Sequence, residues 1–165
     1  KNIVLIGMPG AGKSTVGVVI AKKLGYRFMD SDLVIQERTG KMLHEIIEEK
    51  GTEGFLTVEG EINASLCCDR TVIATGGSVV YSAKAMEHLK EIGRVVYLQL
   101  SCEAVAERLG DLQERGVALK EGQTLRDLYE ERTPLYERYA DIILNCEGKM
   151  IREVVAELAA RLDGR

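Results

Sequence analysis

The chain of 165 residues contains no tryptophan, two phenylalanines and two prolines, and no apolar run in it approaches the length of a membrane-spanning helix. It also lacks a Pro/Ser-rich linker, an internal repeat and a low-complexity stretch, so we predict a single domain over residues 1–165. The first two residues lead directly into an apolar segment without a signal-peptide pattern. These absences predict a cytoplasmic protein with no membrane partner.

An excess of positive charge is missing as well. The chain has 22 Lys and Arg against 26 Asp and Glu, interspersed along its length, and a formal net charge of −4. A general nucleic-acid binder needs a basic surface, so this composition excludes that class of partner. We expect a monomer whose partner is a small molecule.

Residues that build structural metal sites are scarce. The two histidines do not form a ligand-like pair, and the four cysteines, Cys67, Cys68, Cys102 and Cys146, contain no C-x-x-C spacing. We predict that the cysteines are reduced and mostly buried, and that no structural transition metal is bound.

The clearest motif present is the octet at residues 7–14, which reads G-x-x-x-x-G-K-S between an apolar segment at 2–6 and a helical pattern at 15–24. Its glycines let backbone N–H groups approach phosphate oxygens, Lys13 can contact the β- and γ-phosphates, and Ser14 can ligate Mg²⁺. An ordinary glycine turn is the alternative. The motif predicts ATP and Mg²⁺ as cofactors, bound by Gly10, Ala11, Gly12, Lys13, Ser14 and Thr15.

Two carboxylates follow the second predicted strand at 27–29. Asp30 and Asp32 are expected at the same sheet edge as the phosphate loop, because ligands bind at the carboxyl ends of parallel strands. Asp30 could hold a Mg²⁺-bound water, and Asp32 could orient or deprotonate an acceptor hydroxyl. The alternative is that one of them only caps a helix at 33–38.

The helical spacing of apolar residues in the next segment predicts an acceptor-binding helical region at 33–68, with breaks at Gly51 and Gly54. A strand at 71–74 follows it and ends in a second glycine turn. There Gly76 and Gly77 can let the backbone approach the acceptor. A plain loop is the alternative.

The rest of the chain continues the alternation of helices and strands. Helices are predicted at 82–91, at 101–109, from Thr124 with an interruption at Pro134, and at 149–162, and strands at 94–100 and 141–145. Residues 110–123 lack periodicity and suggest a mobile lid, from which Arg115 could reach the phosphates. Five strands alternating with helices predict an α/β fold of three layers, with a parallel sheet covered on both faces.

The chain resembles the shikimate kinase family of P-loop proteins over essentially its whole length. The resemblance is carried by residues 7–14, by Asp30-Ser31-Asp32, by Arg38-Thr39-Gly40, by Thr75-Gly76-Gly77, by residues 131–136 and by Ala140-Asp141. It implies ATP-dependent phosphorylation of a hydroxyl on a small cyclic acid, and a five-stranded sheet of order 2-3-1-4-5.

Site roles also follow from the resemblance. It implies that Ser14 holds Mg²⁺, that Asp32, Gly76 and Gly77 contact the acceptor, and that Arg132 pairs with the acceptor's carboxylate. Arg115 corresponds to the lid arginine that reaches ATP, and Arg108 to the arginine beside the adenine ring. The predicted catalytic residues are Lys13, Asp32 and Arg115.

Three departures from the family pattern lie near the acceptor or its cover. Leu56 replaces an arginine that grips the substrate carboxylate, Ser78 replaces the third glycine of a Gly-Gly-Gly turn, and the lid reads Arg-Gly-Val-Ala from Arg115. The alternatives are therefore a kinase for a different hydroxy acid or an amino-acid alcohol, or a nucleotide-binding regulatory module without transfer activity. The guanine-reading Asn-Lys-x-Asp motif is absent from the sequence, which argues against a GTPase switch.

Overall fold

The structure, a computed structural model, describes residues 1–109 and 122–164 and contains one parallel sheet. Its strands are β1 (Asn2–Ile6), β2 (Arg27–Asp30), β3 (Thr71–Ala74), β4 (Gly93–Gln99) and β5 (Ile142–Asn145). The strands lie in the order β2-β3-β1-β4-β5. The predicted α/β class and strand order are confirmed.

Helices connect the strands. They are α1 (Lys13–Leu24), α2 (Ser31–Thr39), α3 (Leu43–Ala64), α4 (Ala83–Ile92), α5 (Cys102–Arg108), α6 (Leu125–Tyr139) and α7 (Ile151–Gly164), with a 3₁₀ turn at Val79–Tyr81. Within the two described ranges, no helix is both long and apolar enough to cross a membrane.

The apolar core consists of two clusters, a main one around the sheet and a smaller one near the acceptor region. Every residue of β1 and β3 is buried, as expected for parallel strands covered on both faces. A second, smaller apolar cluster joins α2 to α3 and consists of Ile35, Ile46, Phe55 and Ile62. This cluster holds α3 beside the sheet edge where the glycine turns meet.

The predicted helix breaks are only partly right. Gly51 has φ 75° and ψ 175° and interrupts α3, whereas Gly54 lies inside the helix, so the predicted break there is wrong. Helix α6 also continues through Pro134, contrary to prediction. Pro134 and Glu130 are both exposed, so water can solvate the carbonyl that the proline leaves without an N–H partner.

The prediction of mostly buried cysteines holds for two of the four. All four are free, Cys102 and Cys146 are buried, Cys68 is half-buried and Cys67 is exposed. Cys67 lies in the short connection between α3 and β3, where no element covers it. The predicted lid at 110–123, including Arg115, lies almost entirely outside the described residues.

Asn2 joins three chain segments at the amino-terminal end of the strands, opposite the phosphate loop. Its side-chain N–H groups donate to the carbonyl oxygens of Cys68 at 2.9 Å and Ile92 at 3.0 Å, and its Oδ1 accepts from the N–H of Thr71 at 3.0 Å. The residue is 2% exposed. It therefore supplies hydrogen bonds to the chain entering β3 and β4.

Replacing Asn2 by alanine should lower the free energy of unfolding by about 2–3 kcal/mol, because buried backbone groups lose their partners. Urea denaturation measures this change. Asn145→Ala is the matched control, because Asn145 is exposed and its side chain makes one local bond, to the N–H of Glu147. Equal losses for the two variants would contradict the assigned role of Asn2.

Candidate active site

The carboxyl ends of β1, β2 and β3 surround a cavity of about 330 Å³. Strand β1 lies between β3 and β4, so the loop after β1 lies next to the end of β3, and the end of β2 is one strand further out. The cavity walls include Lys13, Ser14, Asp30, Asp32, Glu59, Gly76, Gly77, Ser78 and Arg132. All the predicted acceptor-binding residues and the predicted metal ligands thus share one cavity.

The phosphate loop is shaped by its glycines. Gly12 has φ 91° at the N-cap of α1, a conformation that residues with a Cβ rarely adopt. The ammonium of Lys13 donates to the carbonyl oxygens of Gly7 at 2.8 Å and Met8 at 2.9 Å. Ser14 and Thr15 are exposed in the first turn of α1, where backbone N–H groups and the helix dipole attract anions.

Burial lowers the pKa of Lys13 from 10.5 to about 8. The carboxylate of Asp32 opposes this shift and Arg132 adds to it. Because Lys13 is charged at neutral pH in a largely dry site, it provides a strong electrostatic group for a phosphate.

Asp30 both caps α2 and faces the phosphate loop. Its Oδ1 accepts from the N–H of Asp32 at 2.9 Å, and its Oδ2 accepts from the hydroxyl of Ser14 at 3.1 Å. Asp30 therefore caps α2, but it does more than cap, because its second oxygen is directed at Ser14. A hydroxyl and a carboxylate side by side are donors that suit Mg²⁺, which takes few protein ligands and keeps waters and phosphate oxygens.

A resident metal site of another kind is not apparent in the described part of the chain. No group of three or more His, Cys, Asp or Glu side chains with metal-binding geometry occurs there.

Two carboxylate oxygens from different helices meet beside Gly76. A Cβ on Gly76 would lie 2.7 Å from Glu59 Oε2 and 2.8 Å from Asp32 Oδ1. Both oxygens are buried and have no hydrogen-bond partner among the residues that the structure describes. Only glycine leaves the space at position 76, and the two oxygens are placed to accept hydrogen bonds from a bound molecule.

Burial also raises the pKa values of these two acids. The pKa of Asp32 rises from 3.8 to about 6 through burial and the nearby charge of Asp30, and Lys13 opposes the rise. The pKa of Glu59 rises from 4.5 to about 7 through burial, which the hydrogen bond from Ser78 partly offsets and Asp32 reinforces.

Arg132 lines the same cavity as the carboxylates and contributes a positive charge to it. It lies on α6 and is 1% exposed, and its Nε donates to the hydroxyl of Tyr81 at 3.3 Å. A Cβ on Gly77 would come within 2.9 Å of its guanidinium. The hydroxyl of Tyr136 donates to the carbonyl of Gly77 at 2.6 Å and fixes this turn against α6.

The structure identifies one site residue that the sequence analysis did not propose. Glu59 is 1% exposed, and Ser78 donates to its Oε1 at 2.6 Å. Its position carried a signal, because Phe55, Glu59 and Ile62 follow helical spacing and place a charge among buried apolar residues.

The predicted nucleotide residue Arg108 and the departure at Leu56 both lie away from the acceptor cavity. Arg108 is exposed and donates to the carbonyl of Gly10 at 3.2 Å, so it contacts the outer side of the phosphate loop. Leu56 lines a neighbouring cavity of about 500 Å³, together with Gly60 and Tyr81. Arg115 is outside the described residues.

Comparison with known proteins gives a consistent family. The family model described as shikimate kinase matches residues 9–163. A shikimate kinase of Persephonella marina is 37% identical over 163 residues, covering 98% of this chain and 99% of that protein. A shikimate kinase of Pseudomonas paraeruginosa is 40% identical over 164 residues, covering 98% of this chain and 95% of that protein.

Solved structures agree with the sequence relatives. A shikimate kinase from Acinetobacter baumannii in complex with shikimate superposes with a TM-score of 0.83 at 32% identity, covering 99% of this chain and 93% of that one. The shikimate kinase from Aquifex aeolicus gives 0.81 at 32% identity, covering 99% and 97%.

Replacing Glu59 by glutamine should remove one part of the pH dependence of stability. A folded-state pKa raised from 4.5 to about 7 means that the folded protein binds this proton more tightly than the unfolded chain. The free energy of unfolding therefore falls as the pH rises through that window, by on the order of 2 kcal/mol for this group. Urea denaturation at pH 5 and pH 8 should show a smaller decrease for Glu59→Gln than for the wild type.

Glu61→Gln is the matched control, because Glu61 is exposed on the same helix. It should keep the wild-type decrease between the two pH values. If Glu59→Gln also kept it, the raised pKa would be disproved.

Proposed function

The chain belongs to the shikimate kinase family, and we propose that it transfers the γ-phosphate of ATP to a hydroxyl group of shikimate. One observation carries the proposal: Lys13, Asp32 and Arg132 line the same cavity. A cation for the phosphate, a carboxylate for the hydroxyl and a cation for the acid group are the three groups that this transfer needs.

In the phosphate half, residues 10–15 bind ATP through backbone N–H groups and the ammonium of Lys13. Arg108 lies on the outer side of the loop, next to Gly10, where it can contact the nucleotide. Ser14 and Asp30 would hold Mg²⁺, which when bound neutralises charge on the phosphate oxygens. Lys13 is buried and positively charged, so it stabilises the charge that spreads over the transferred group.

In the acceptor half, Asp32 orients the hydroxyl and accepts its proton. Its pKa of about 6 brings it closer to neutral pH than an ordinary aspartate, and a catalytic base works best with a pKa near the working pH. Gly76 and Gly77 let this turn lie directly against the side chains that face the acceptor, since a Cβ at either position would come within 3 Å of them. Arg132 pairs with the acceptor's carboxylate.

The structural neighbour from Acinetobacter baumannii supports the choice of acceptor, because that protein is described in complex with shikimate. A role of Arg115 in closing over ATP, a cytoplasmic location and a monomeric state stay predictions.

A different acceptor is the second candidate, and one observation favours it. Leu56 offers no charge, and its side chain lines the neighbouring cavity instead of the acceptor cavity. Among the described residues, Lys13 and Arg132 are therefore the positively charged side chains that line the acceptor cavity. The absence of an arginine at position 56 therefore leaves room for an acceptor whose carboxylate is placed differently, such as another hydroxy acid or an amino-acid alcohol.

An ADP-release assay with Mg-ATP tests the two candidates. Shikimate, gluconate, homoserine and a sample without acceptor are compared, with Lys13→Ala as the control for the phosphate half. We expect ADP release that depends on shikimate and is lost in Lys13→Ala. Release with another acceptor alone would replace shikimate in the proposal, and background release with every acceptor would favour a regulatory module.

Arg132→Lys tests whether Arg132 serves the acceptor half of the site and not the phosphate half. A lysine keeps the charge but cannot form the two parallel hydrogen bonds of a guanidinium to a carboxylate. We expect the half-saturating concentration of shikimate to rise at least about tenfold, with little change for ATP. Arg138→Lys, an exposed change on the same helix, is the control, and an equal rise for both substrates in Arg132→Lys would contradict the assignment.

A further inference from the structure

Two departures from the family pattern, Leu56 and Ser78, both lie close to Glu59. Leu56 precedes Glu59 by three residues on α3, so the two positions are neighbours on the helix surface. Ser78 follows the glycine turn after β3 and directly precedes the 3₁₀ turn. The inference drawn from these positions rests on the proposed function.

The side chain at position 56 gives Glu59 no polar contact. Leucine has no hydrogen-bonding group, yet the carboxyl of Glu59 is almost fully buried and needs a partner to offset the loss of water. Of the described residues, Lys13 and Arg132 are the cations that line the same cavity, and both influence Glu59 through their charge.

Ser78 supplies the hydrogen bond. Its hydroxyl donates to Glu59 Oε1 at 2.6 Å, and the residue is 6% exposed. Its φ of −95° and ψ of 1° are accessible to residues with a Cβ, so a serine fits where the family pattern has glycine. The bond therefore connects α3 directly to the turn that follows β3.

This bond fixes the direction of the second oxygen. With Oε1 held by Ser78, Oε2 lies beside Asp32 Oδ1 at the surface of Gly76, and within residues 1–109 and 122–164 neither oxygen has a hydrogen-bond partner. Two buried acceptors that point to one place suit a ligand with hydroxyl groups.

We propose that Ser78 is a positioning residue that holds Glu59 in the acceptor cavity, so that Glu59 and Asp32 together accept hydrogen bonds from the acceptor's hydroxyl groups. Ser78 thereby provides the partner that the side chain at position 56 does not provide.

Ser78→Ala tests the positioning role. Without the hydroxyl, Glu59 loses its fixed direction, and the half-saturating concentration of shikimate should rise about tenfold while that of ATP stays the same. Ser65→Ala is the matched control, because Ser65 lies at the end of α3 and its hydroxyl bonds to Ile62 and Arg38 outside the cavity. Unchanged half-saturation by shikimate in Ser78→Ala would overturn the proposal.

Leu56→Arg tests the relation between the two departures. A guanidinium at position 56 can reach a glutamate three residues later on the same helix and so replace the serine. The change should lower the half-saturating concentration of shikimate by a larger factor in the Ser78→Ala background than in the wild type. Equal factors in the two backgrounds would show that positions 56 and 78 act independently and would overturn the compensation.

Urea denaturation of Ser78→Ala, Glu59→Gln and the double variant provides a readout that does not depend on activity. Effects that are not additive show that the two side chains interact, and additive effects overturn the pair. A wild-type protein that does not phosphorylate shikimate would overturn the proposed function, while the stability cycle would still decide whether Ser78 holds Glu59.

Discussion

Two basic and two acidic side chains line one cavity: Lys13, Arg132 and Glu59 are buried, and Asp32 is half-buried. The arrangement of the acceptor region depends on their mutual compensation. Burying an isolated charge costs several kcal/mol even after the protein relaxes. Lys13 and Arg132 are placed against Asp32 and Glu59, and each of the four comes from a different helix. The cost of burying each charge is reduced only if α1, α2, α3 and α6 all hold their positions, so the charges tie the helices to one geometry.

The sheet makes this convergence possible. Because β1 is the middle strand, the loop that follows it lies next to the ends of β3 on one side and β4 on the other. Glycines then allow the close approach: a side chain at Gly76 would collide with the two carboxyl groups, and one at Gly77 would collide with Pro9 and Arg132. The parallel sheet brings the carboxyl ends of its strands together, and the glycine turns leave the space that the charged side chains occupy between them.

The parts of the molecule that were predictable from sequence are those with local signals. The glycine octet, the apolar strands and Asp30 as a helix cap all follow from spacing and residue type, and the strand order followed from the family resemblance. Glu59 was missed because its role depends on Ser78, nineteen residues later, and no local pattern shows that the two side chains meet. The failure at Pro134 also depended on context, because the exposure of Glu130 and Pro134 lets water solvate the carbonyl that loses its partner, and the sequence alone did not show this.

Tyr136 contacts both glycine turns of the site. Its hydroxyl donates to the carbonyl of Gly77 and lies 3.7 Å from the sulfur of Met8, so one side chain of α6 supports the acceptor turn and the phosphate loop together. The hydroxyl has a single proton and can donate to one of these partners at a time. A ligand that shifts either turn therefore changes the support of the other. By thermodynamic linkage any coupling that this phenol carries is reciprocal, so a nucleotide that raised the affinity for the acceptor through Tyr136 would itself be bound more tightly by the same factor.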